Sequence, residues 1–249
     1  LEEITRWFRG DGPDPQQPAM ERALRSQLPG VALGPVTSHR CIVTYTPSGY
    51  PTIDVAPDGR VYGVYSGFSQ PAADTTFLDP INAEHTVPQG WFGRADPMRS
   101  DIHHLFPTHK DVNNARGSDP FGEIEDAATA TWYGLTEDGR LAQLKRIPDG
   151  GLDAFSEDRP DEFEPPEGHE GDLARAVFYF YTMYPGRARS IEHLARDGLE
   201  TLHQWHRQDP PDAWERQRNE RVAAAQGNRN PYIDHPALVC RAWGFDCLP

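Results

Sequence analysis

Positive charge is scarce in this 249-residue chain. It has 24 Lys and Arg residues against 38 Asp and Glu residues, which gives a formal net charge of −14 at pH 7. This balance weakens long-range attraction of a polyanion, because Lys and Arg normally neutralise the phosphates of a bound nucleic acid. The acid is unevenly distributed: eight acidic residues lie between Glu157 and Asp172, whereas the segment from Glu84 to Arg116 has four acids and four bases. The second segment is therefore locally neutral.

Cysteine is also rare, since the chain contains only Cys41, Cys240 and Cys247. No Cys-x-x-Cys pair is present, which argues against a zinc site made of thiolates. Three cysteines allow at most one internal disulfide. The preferred pair is Cys240 with Cys247, which would close a short C-terminal loop. Cys41 paired with either of them, and three free buried thiols, are the alternatives.

Long apolar segments are absent as well. No run of about 18 apolar residues occurs, so no membrane-spanning segment is predicted. No signal peptide is visible, and a chain that begins with Leu1 is compatible with the removal of a leader. Hydrophobic residues make up 37% of the chain, and 24 Pro and 22 Gly are present, but aromatic residues reach 10%. This composition predicts a loop-rich folded protein, not a disordered one.

Local patterns predict a mixed α+β fold. Asp58-Gly59 and Asp138-Gly139 each lie between β-rich segments, which indicates two β-hairpins. Apolar residues at helical spacing predict a helix from Gly171 to Tyr184. The other predicted elements are two short helices within 1–30, a strand at 41–45, a proline-rich and acidic loop at 149–166, and helices at 191–206 and 210–225.

The most informative stretch runs from Asn82 to Gly122. Glu84 and His85 are adjacent in it, and Asn113 and Asn114 follow later. Carboxylate and amide oxygens are suitable ligands for a hard cation such as Mg²⁺, whose remaining ligands are usually water and substrate phosphate. A neutral imidazole takes up a proton near pH 7. Because phosphodiester hydrolysis needs both a cation and a base, these residue types together indicate that chemistry.

Several blocks of the sequence carry a family resemblance. The first is Asn82-Ala83-Glu84-His85-Thr86-Val87-Pro88, and the second runs from Ser100 to Gly122. Later blocks follow in the same order, at 163–166, 171–176, 204–206 and 226–232. Together they resemble the endonuclease I family of bacterial secreted or periplasmic nucleases, which belongs to the ββα-metal (His-Me finger) superfamily. The resemblance extends from Val61 to Leu238, and it is specific because several separate blocks agree.

The resemblance implies a single domain over residues 1–249. Its core is a ββα-metal unit at about 80–125, and its C-terminal part is helical at about 170–235. His85 is expected at the end of the first strand. The loop and second strand are expected within Gln89–Ser100, and a helix from Asp111 to Arg116 with Asp111 as its N-cap.

The resemblance also implies roles for the central residues. His85 is expected to be the general base, oriented by a hydrogen bond to a backbone carbonyl on the facing strand near Arg99. Glu84 and Asn113 are expected to bind Mg²⁺, with Mn²⁺ or Ca²⁺ as alternatives. The Val-Asn-x-x-Arg order favours Asn113 over Asn114.

Arg116 is expected to clamp the phosphate, and a salt bridge to Asp101 or Glu123 is the alternative. The block from Gln226 to Tyr232 is expected either to line the nucleic-acid groove or to be a well-packed polar turn. The remaining expectations are nucleic-acid contacts from Arg99 and Arg229, and supporting roles for Asp101 and His103.

The implied function is a metal-dependent, sequence-nonspecific endonuclease. It would act on DNA and also RNA, leave 5′-phosphorylated products, be secreted or periplasmic, act as a monomer and bind no membrane. Two other functions stay open: an inactive nucleic-acid-binding or surface-binding protein that kept the fold, and an unrelated hydrolase with paired carboxylates such as Glu164 and Glu170. A zinc site at His103, His104 and His109 is less favoured, because their spacing does not match common zinc motifs.

Overall fold

Eight strands and six α-helices are present in the described part of the chain. The structure, a computed structural model, describes residues 53–72, 79–195 and 198–246. The strands are β1 Arg60–Tyr62, β2 Ser69–Pro71, β3 Ile81–His85, β4 Leu105–His109, β5 Thr131–Leu135, β6 Leu141–Leu144, β7 Ser156–Arg159 and β8 Glu162–Glu164. The helices are α1 Lys110–Arg116, α2 Glu167–Met183, α3 Leu199–Gln208, α4 Ala213–Gln226, α5 Pro231–Asp234 and α6 Leu238–Trp243.

Some predicted features lie outside the described residues. They are the helices within 1–30, the strand at 41–45, Cys41 and Cys247. The disulfide pairing therefore stays a prediction.

The strands form three small antiparallel sheets within the described residues. β1 pairs with β2, β3 pairs with β4, and the third sheet has the order β6-β5-β7-β8. Helices follow or separate these sheets along the chain. This combination confirms the predicted α+β class.

The two predicted hairpins have different outcomes. The second is confirmed, because β5 and β6 pair with Leu135 opposite Leu141, and Gly139 in the turn has φ +77°. At the first, the pairing is limited to an isolated bridge between Val55 and Val61. The strand that follows its turn, β1, pairs instead with β2.

The prediction of a loop over 149–166 is wrong, because β7 and β8 lie within this segment. β7 pairs with β5 on one side and with β8 on the other. Its residues are Ser-Glu-Asp-Arg, so they show none of the apolar alternation by which a strand is recognised. Pairing on both edges has overridden the local composition.

The three helices predicted after residue 166 agree with the structure to different degrees. The helix predicted from Gly171 is confirmed as α2, which starts four residues earlier at Glu167. The helix predicted at 210–225 is confirmed as α4, whose N-cap Asp212 accepts a hydrogen bond from the Glu215 amide. The segment 191–206 contains a 3₁₀ turn and then α3, with residues 196–197 outside the described part.

The hydrophobic core is centred on α2. Every residue from Leu173 to Met183 is buried, as expected for a helix that other elements surround on all sides. The Phe180 ring packs against Phe92 with centroids 5.5 Å apart, and Phe178 packs against Trp243 at 5.0 Å. None of the helices in the described ranges combines the length and apolar character needed to cross a bilayer.

The start of α2 is joined tightly to the segment that follows α3. Arg175 is fully buried, and its guanidinium donates hydrogen bonds to Glu215 at 2.7 Å, to Asp172 at 3.1 Å and to the Asp209 carbonyl at 2.7 Å. A Cβ at Gly171 would lie 1.9 Å from that same carbonyl oxygen. Glycine is therefore required at this position by the close approach of two backbones.

Two buried histidines give stability a dependence on pH. Burial lowers the pKa of both His103 and His206 to about 4. An unfolded histidine takes up its proton near pH 6.5, so the unfolded state binds more protons between pH 6.5 and 4. The stabilising effect of the neutral rings is thus complete above pH 6.5 and is lost as the pH falls towards 4.

We expect the free energy of unfolding to decrease by roughly 1–3 kcal/mol for each of these histidines between pH 7 and pH 4. Urea unfolding at several pH values measures this dependence. The His206→Gln variant keeps a donor for the Pro236 carbonyl, which His206 Nε2 contacts at 3.1 Å, but it does not titrate. Its stability should therefore depend less on pH, and a slope equal to that of the parent would contradict the assignment.

Candidate active site

β3, β4 and α1 form a ββα unit that contains the central predicted residues. In the antiparallel pair, Glu84 lies opposite Phe106 and His85 lies opposite Leu105. His85 is the last residue of β3, as predicted, and the chain bends immediately after it at Thr86 and Val87. Glu84 and His85 are both paired residues of β3, where consecutive side chains point to opposite faces, and the bend begins only after them.

The predicted position of the second strand of the unit is wrong. Residues Gln89–Ser100 contain two 3₁₀ turns, Gln89–Phe92 and Met98–Ser100, and the strand is β4 at Leu105–His109. Pro88, Pro97 and Gly93, which has φ +63°, interrupt the earlier segment. Proline and left-handed glycine suit turns and disfavour a regular strand.

The start of α1 also differs slightly from the prediction. The helix runs from Lys110 to Arg116, and its N-cap is His109, whose Nδ1 accepts a hydrogen bond from the Asp111 amide at 3.2 Å. Asp111 lies in the first turn, where a negative charge interacts favourably with the helix dipole. The helix itself is confirmed, but the predicted N-cap is wrong.

His85 has one ring nitrogen fixed by the backbone. Its Nε2 lies 2.9 Å from the Arg99 carbonyl oxygen, so Nε2 carries the proton and Nδ1 is left as an acceptor. The expected hydrogen bond is present, although Arg99 belongs to a 3₁₀ turn and not to a facing strand. Burial, together with nearby His104, lowers the pKa of His85 to about 3. The imidazole is therefore neutral at physiological pH, with Nδ1 unprotonated.

Glu84 is buried, and one of its oxygens is held by two donors. Oε1 accepts hydrogen bonds from the Tyr65 hydroxyl at 2.8 Å and from Arg116 Nη1 at 3.0 Å. Burial raises the pKa of Glu84, and the Arg116 charge and Tyr65 hydroxyl oppose that rise. Both hydrogen bonds act on Oε1, so neither of them occupies Oε2.

Arg116 is fully buried and contacts the residues of the site. Besides Glu84, its guanidinium contacts the His85 carbonyl at 3.4 Å and the Thr86 carbonyl at 3.0 Å, and it stacks 4.5 Å above the Phe121 ring. Its ion-pair partner is thus Glu84, not the Asp101 or Glu123 of the alternative prediction. These contacts hold both the carboxylate and the bend that follows His85.

Asn113 is connected directly to β3. Its Nδ2 donates hydrogen bonds to Asn82 Oδ1 at 2.7 Å and to the Ala83 carbonyl at 3.2 Å. These bonds orient the amide so that Oδ1 is the atom that remains for a ligand. Asn114 is exposed. The structure therefore brings Asn113, and not its neighbour, to the strand that ends in Glu84 and His85.

Sequence reasoning missed two residues that support this site. Asn82 lies two positions before Glu84 on the same strand and therefore on the same face; this spacing could have identified it. Tyr65, whose hydroxyl holds Glu84, is 19 residues away in sequence. No local pattern indicates that contact.

Asp101 and His103 belong to a buried polar network behind the site. The fully buried Asp101 carboxylate accepts hydrogen bonds from the Tyr179 and Tyr184 hydroxyls at 2.9 and 2.7 Å and from Gln226 Nε2 at 2.7 Å. His103 Nε2 contacts the Asn228 carbonyl at 3.0 Å. Gln226 and Asn228 are themselves buried. The block from Gln226 to Tyr232 therefore has the form of a packed polar turn, which is one of the two alternatives predicted for it.

The two arginines expected at nucleic acid differ in availability. The Arg99 side chain is 43% exposed and has a long contact of 3.7 Å with Asp96. Arg229 forms two 2.7 Å hydrogen bonds to Asp234 and a 2.8 Å ion pair with Glu220. The geometry therefore favours Arg99 as a phosphate contact and a structural role for Arg229.

The structure also bears on two alternatives, a zinc site at three histidines and a hydrolase with paired carboxylates. A metal site would need at least three His, Cys, Asp or Glu side chains close together. Within the described residues such a group is formed by Glu123, Glu164 and Glu170, whose ligand oxygens lie within 4.8 Å of one another. The three histidines of the zinc alternative form no such group in those residues. Burial raises the pKa of Glu164 to about 8 and that of Glu170 to about 9. Glycosidase carboxylates flank a wider gap of about 5–9.5 Å.

Comparison with known proteins decides the family. A sequence profile of the endonuclease I family matches residues 52–237, well over half of the chain, and the match includes the whole ββα unit. The chain belongs to the endonuclease I family. The resemblance inferred from the separate motif blocks is thereby confirmed.

Several extracellular and periplasmic nucleases are similar to this chain. An extracellular ribonuclease of Bacillus amyloliquefaciens is 32% identical over 176 residues, which cover 65% of this chain and 53% of the relative. A periplasmic deoxyribonuclease of Aeromonas hydrophila is 30% identical, with 62% and 63% covered. An extracellular deoxyribonuclease of the same organism is 29% identical, with 66% and 70% covered. The matched part of this chain spans about half the length of the ribonuclease relatives.

Proposed function

We propose that this endonuclease I family member is a divalent-cation-dependent endonuclease that hydrolyses DNA and RNA and is secreted or periplasmic. The observation that carries the proposal is the ββα unit, which joins Glu84, His85 and Asn113 through β3 and the hydrogen bonds from α1. Relatives named as deoxyribonucleases and as ribonucleases support both substrates. Their extracellular and periplasmic names support the location.

The residues at the site fit a hard cation. Glu84 Oε2 and Asn113 Oδ1 are oxygen donors, one charged and one neutral, and the described hydrogen bonds use other atoms of both groups. One or two protein oxygens, with water and phosphate, are the usual ligand set of Mg²⁺. When bound, the cation would polarise a phosphoryl oxygen and stabilise the leaving 3′ oxygen.

His85 supplies the base. Nε2 donates a hydrogen bond to the Arg99 carbonyl, and Nδ1 is therefore left as the acceptor for a proton of the attacking water. Nδ1 takes the proton of that water as the new P–O bond forms. Cleavage on the 3′-oxygen side leaves a 5′-phosphorylated product.

Two arginines have different tasks in this mechanism. Arg116 acts as a positioning residue, because its buried guanidinium holds Glu84 and the bend after His85. Arg99 contacts the phosphate, because its side chain is partly exposed and its own carbonyl orients the base. A backbone contact of this kind carries no base sequence information, which agrees with nonspecific cleavage.

Cleavage of plasmid DNA tests the proposal. We expect cleavage with Mg²⁺, none with EDTA, and recovery when Mg²⁺ is restored. The Asn113→Ala variant should need at least about tenfold more Mg²⁺ for half-maximal cleavage, since even indirect supports of a metal ligand change affinity by about 10–100-fold. The neighbouring Asn114→Ala variant is the matched control and should behave like the parent. Cleavage in EDTA, or equal effects of the two variants, would contradict the proposal.

A further inference from the structure

Three glutamates converge at a place distinct from the ββα unit. Glu123 lies in the loop after α1, Glu164 is the last residue of β8, and Glu170 lies in the first turn of α2. One carboxylate oxygen from each lies within 4.8 Å of the others. Three separate elements therefore direct like charges to one point, an arrangement that is unfavourable unless something neutralises them.

Two of these carboxylates are held in place by N–H donors. The indole Nε1 of Trp205 donates to Glu123 Oε1, and the backbone amide of Ile124 donates to Glu164 Oε2. In each case one oxygen is anchored and the second remains for a ligand. Such anchoring fixes a ligand set before the ligand arrives.

Glu170 is the decisive member of the group. It is only 4% exposed, and within the described residues its carboxylate accepts no hydrogen bond. Its principal charged neighbours are all carboxylates, namely Glu123, Glu164, Glu167 and Asp209. A buried carboxylate without a donor is neutralised either by a proton, as the raised pKa of Glu170 allows, or by a cation. The convergence of three carboxylate oxygens at one point provides a place for the cation.

We propose that Glu123, Glu164 and Glu170 bind a structural Ca²⁺ ion, separate from the catalytic cation. The ligands are all oxygens, as Ca²⁺ requires, and three carboxylates from independent elements suit its flexible coordination by 6–8 oxygens. Mg²⁺ usually takes one or two carboxylates in strict octahedral geometry. The cleft beside Glu123 and Glu164, of about 540 Å³ and also lined by Glu157 and Glu167, gives water access to complete the shell.

The proposed ion would join the loop at Glu123, the end of β8 and the start of α2. It would also help to hold Trp205 on α3, because the indole donates a hydrogen bond to Glu123. The expected result of binding is therefore a more stable fold. Catalysis is expected to change little.

Thermal unfolding in the Asn113→Ala background tests this site while the catalytic cation is bound weakly. Saturating CaCl₂, compared with NaCl of equal ionic strength, should raise Tm by roughly 5–10 °C. The Glu170→Gln variant should lose this Ca²⁺-dependent rise. Glu123→Gln should lose it too, and its amide oxygen can still accept the hydrogen bond of the Trp205 indole. Glu125→Gln removes an exposed acid of the same loop and should keep the full rise.

Terbium gives a second readout, because Tb³⁺ bound beside Glu123 should luminesce on excitation of Trp205. The signal should be displaced by Ca²⁺ and should be absent in Glu170→Gln. No rise in Tm for the background protein, or an equal rise in Glu170→Gln and Glu125→Gln, would overturn the proposal. Mg²⁺-dependent plasmid cleavage by the Glu170→Gln variant with Asn113 intact should match the parent, so this result is independent of the catalytic assignment.

Discussion

The His85→Ala variant is expected to cleave DNA about 10²–10⁴-fold more slowly than the parent, the usual contribution of a general base. The hydrogen bond that the ring makes leaves one of its nitrogens free for proton transfer. Its Nε2 is committed to the Arg99 carbonyl at 2.9 Å, which leaves Nδ1 as the acceptor. Burial keeps the pKa of the ring at about 3, so it is neutral wherever the enzyme would be assayed.

The measurement is single-turnover cleavage of plasmid DNA at saturating Mg²⁺. Circular dichroism and Mg²⁺ binding should match those of the parent, because His85 is expected to bind no cation. Added imidazole should restore part of the rate, since it can enter the space that the side chain leaves. His235→Ala, which removes an exposed histidine, is the matched control and should keep the full rate. A His85→Ala protein that cuts like the parent would show that another group is the base.

The sequence predicts the central residues of this site because their order along the chain carries the information. Glu84 and His85 are adjacent, and Asn113 lies three residues before Arg116 in a short helix. These relations survive without knowledge of tertiary contacts. The same is true of α2, whose apolar spacing is long and regular.

The parts that were missed depend on contacts between distant segments. β4 is buried at every position and contains Pro107, so it lacks both the alternation and the composition of a typical strand. β7 is highly charged and is a strand only because β5 and β8 pair with it.

Contacts between distant segments also explain why the predicted partners of two arginine side chains differ from the observed ones. Arg116 and Glu84 are 32 residues apart, and no local rule selects that ion pair over the ones predicted. The acidic partners of Arg229, at positions 220 and 234, lie on two different helices. The sequence shows that an arginine is present, but only the fold shows which acids surround it.

The second large effect is expected from Glu84→Gln, which should lower both cleavage and stability. The amide keeps the shape and an acceptor for Tyr65, but it removes the anionic metal ligand. It also leaves the buried Arg116 cation without its counter-charge, and both side chains are at most 3% exposed. Removal of one partner from such a pair typically costs about 3–5 kcal/mol. Urea unfolding and plasmid cleavage measure the two losses separately.

The double variant Glu84→Gln/Arg116→Met separates them. Replacing the unpaired cation with an apolar side chain should recover most of the lost stability, because the methionine can pack against Phe121, where the guanidinium stacks in the parent. Cleavage should stay lost, because no carboxylate is restored. A double variant that regains cleavage together with stability would mean that Glu84 supports the fold and binds no catalytic cation.

The single Arg116→Met variant completes the cycle. Here Glu84 keeps its charge but loses its buried partner, so a bound divalent cation becomes its principal neutralising charge. Mg²⁺ should therefore raise Tm more in this variant than in the parent, and it should have no such effect in Glu84→Gln. An arginine that holds a metal ligand must compete electrostatically with the metal for the same carboxylate. Equal Mg²⁺-dependent shifts of Tm in the parent, Arg116→Met and Glu84→Gln would therefore show that Arg116 does not act on the cation site.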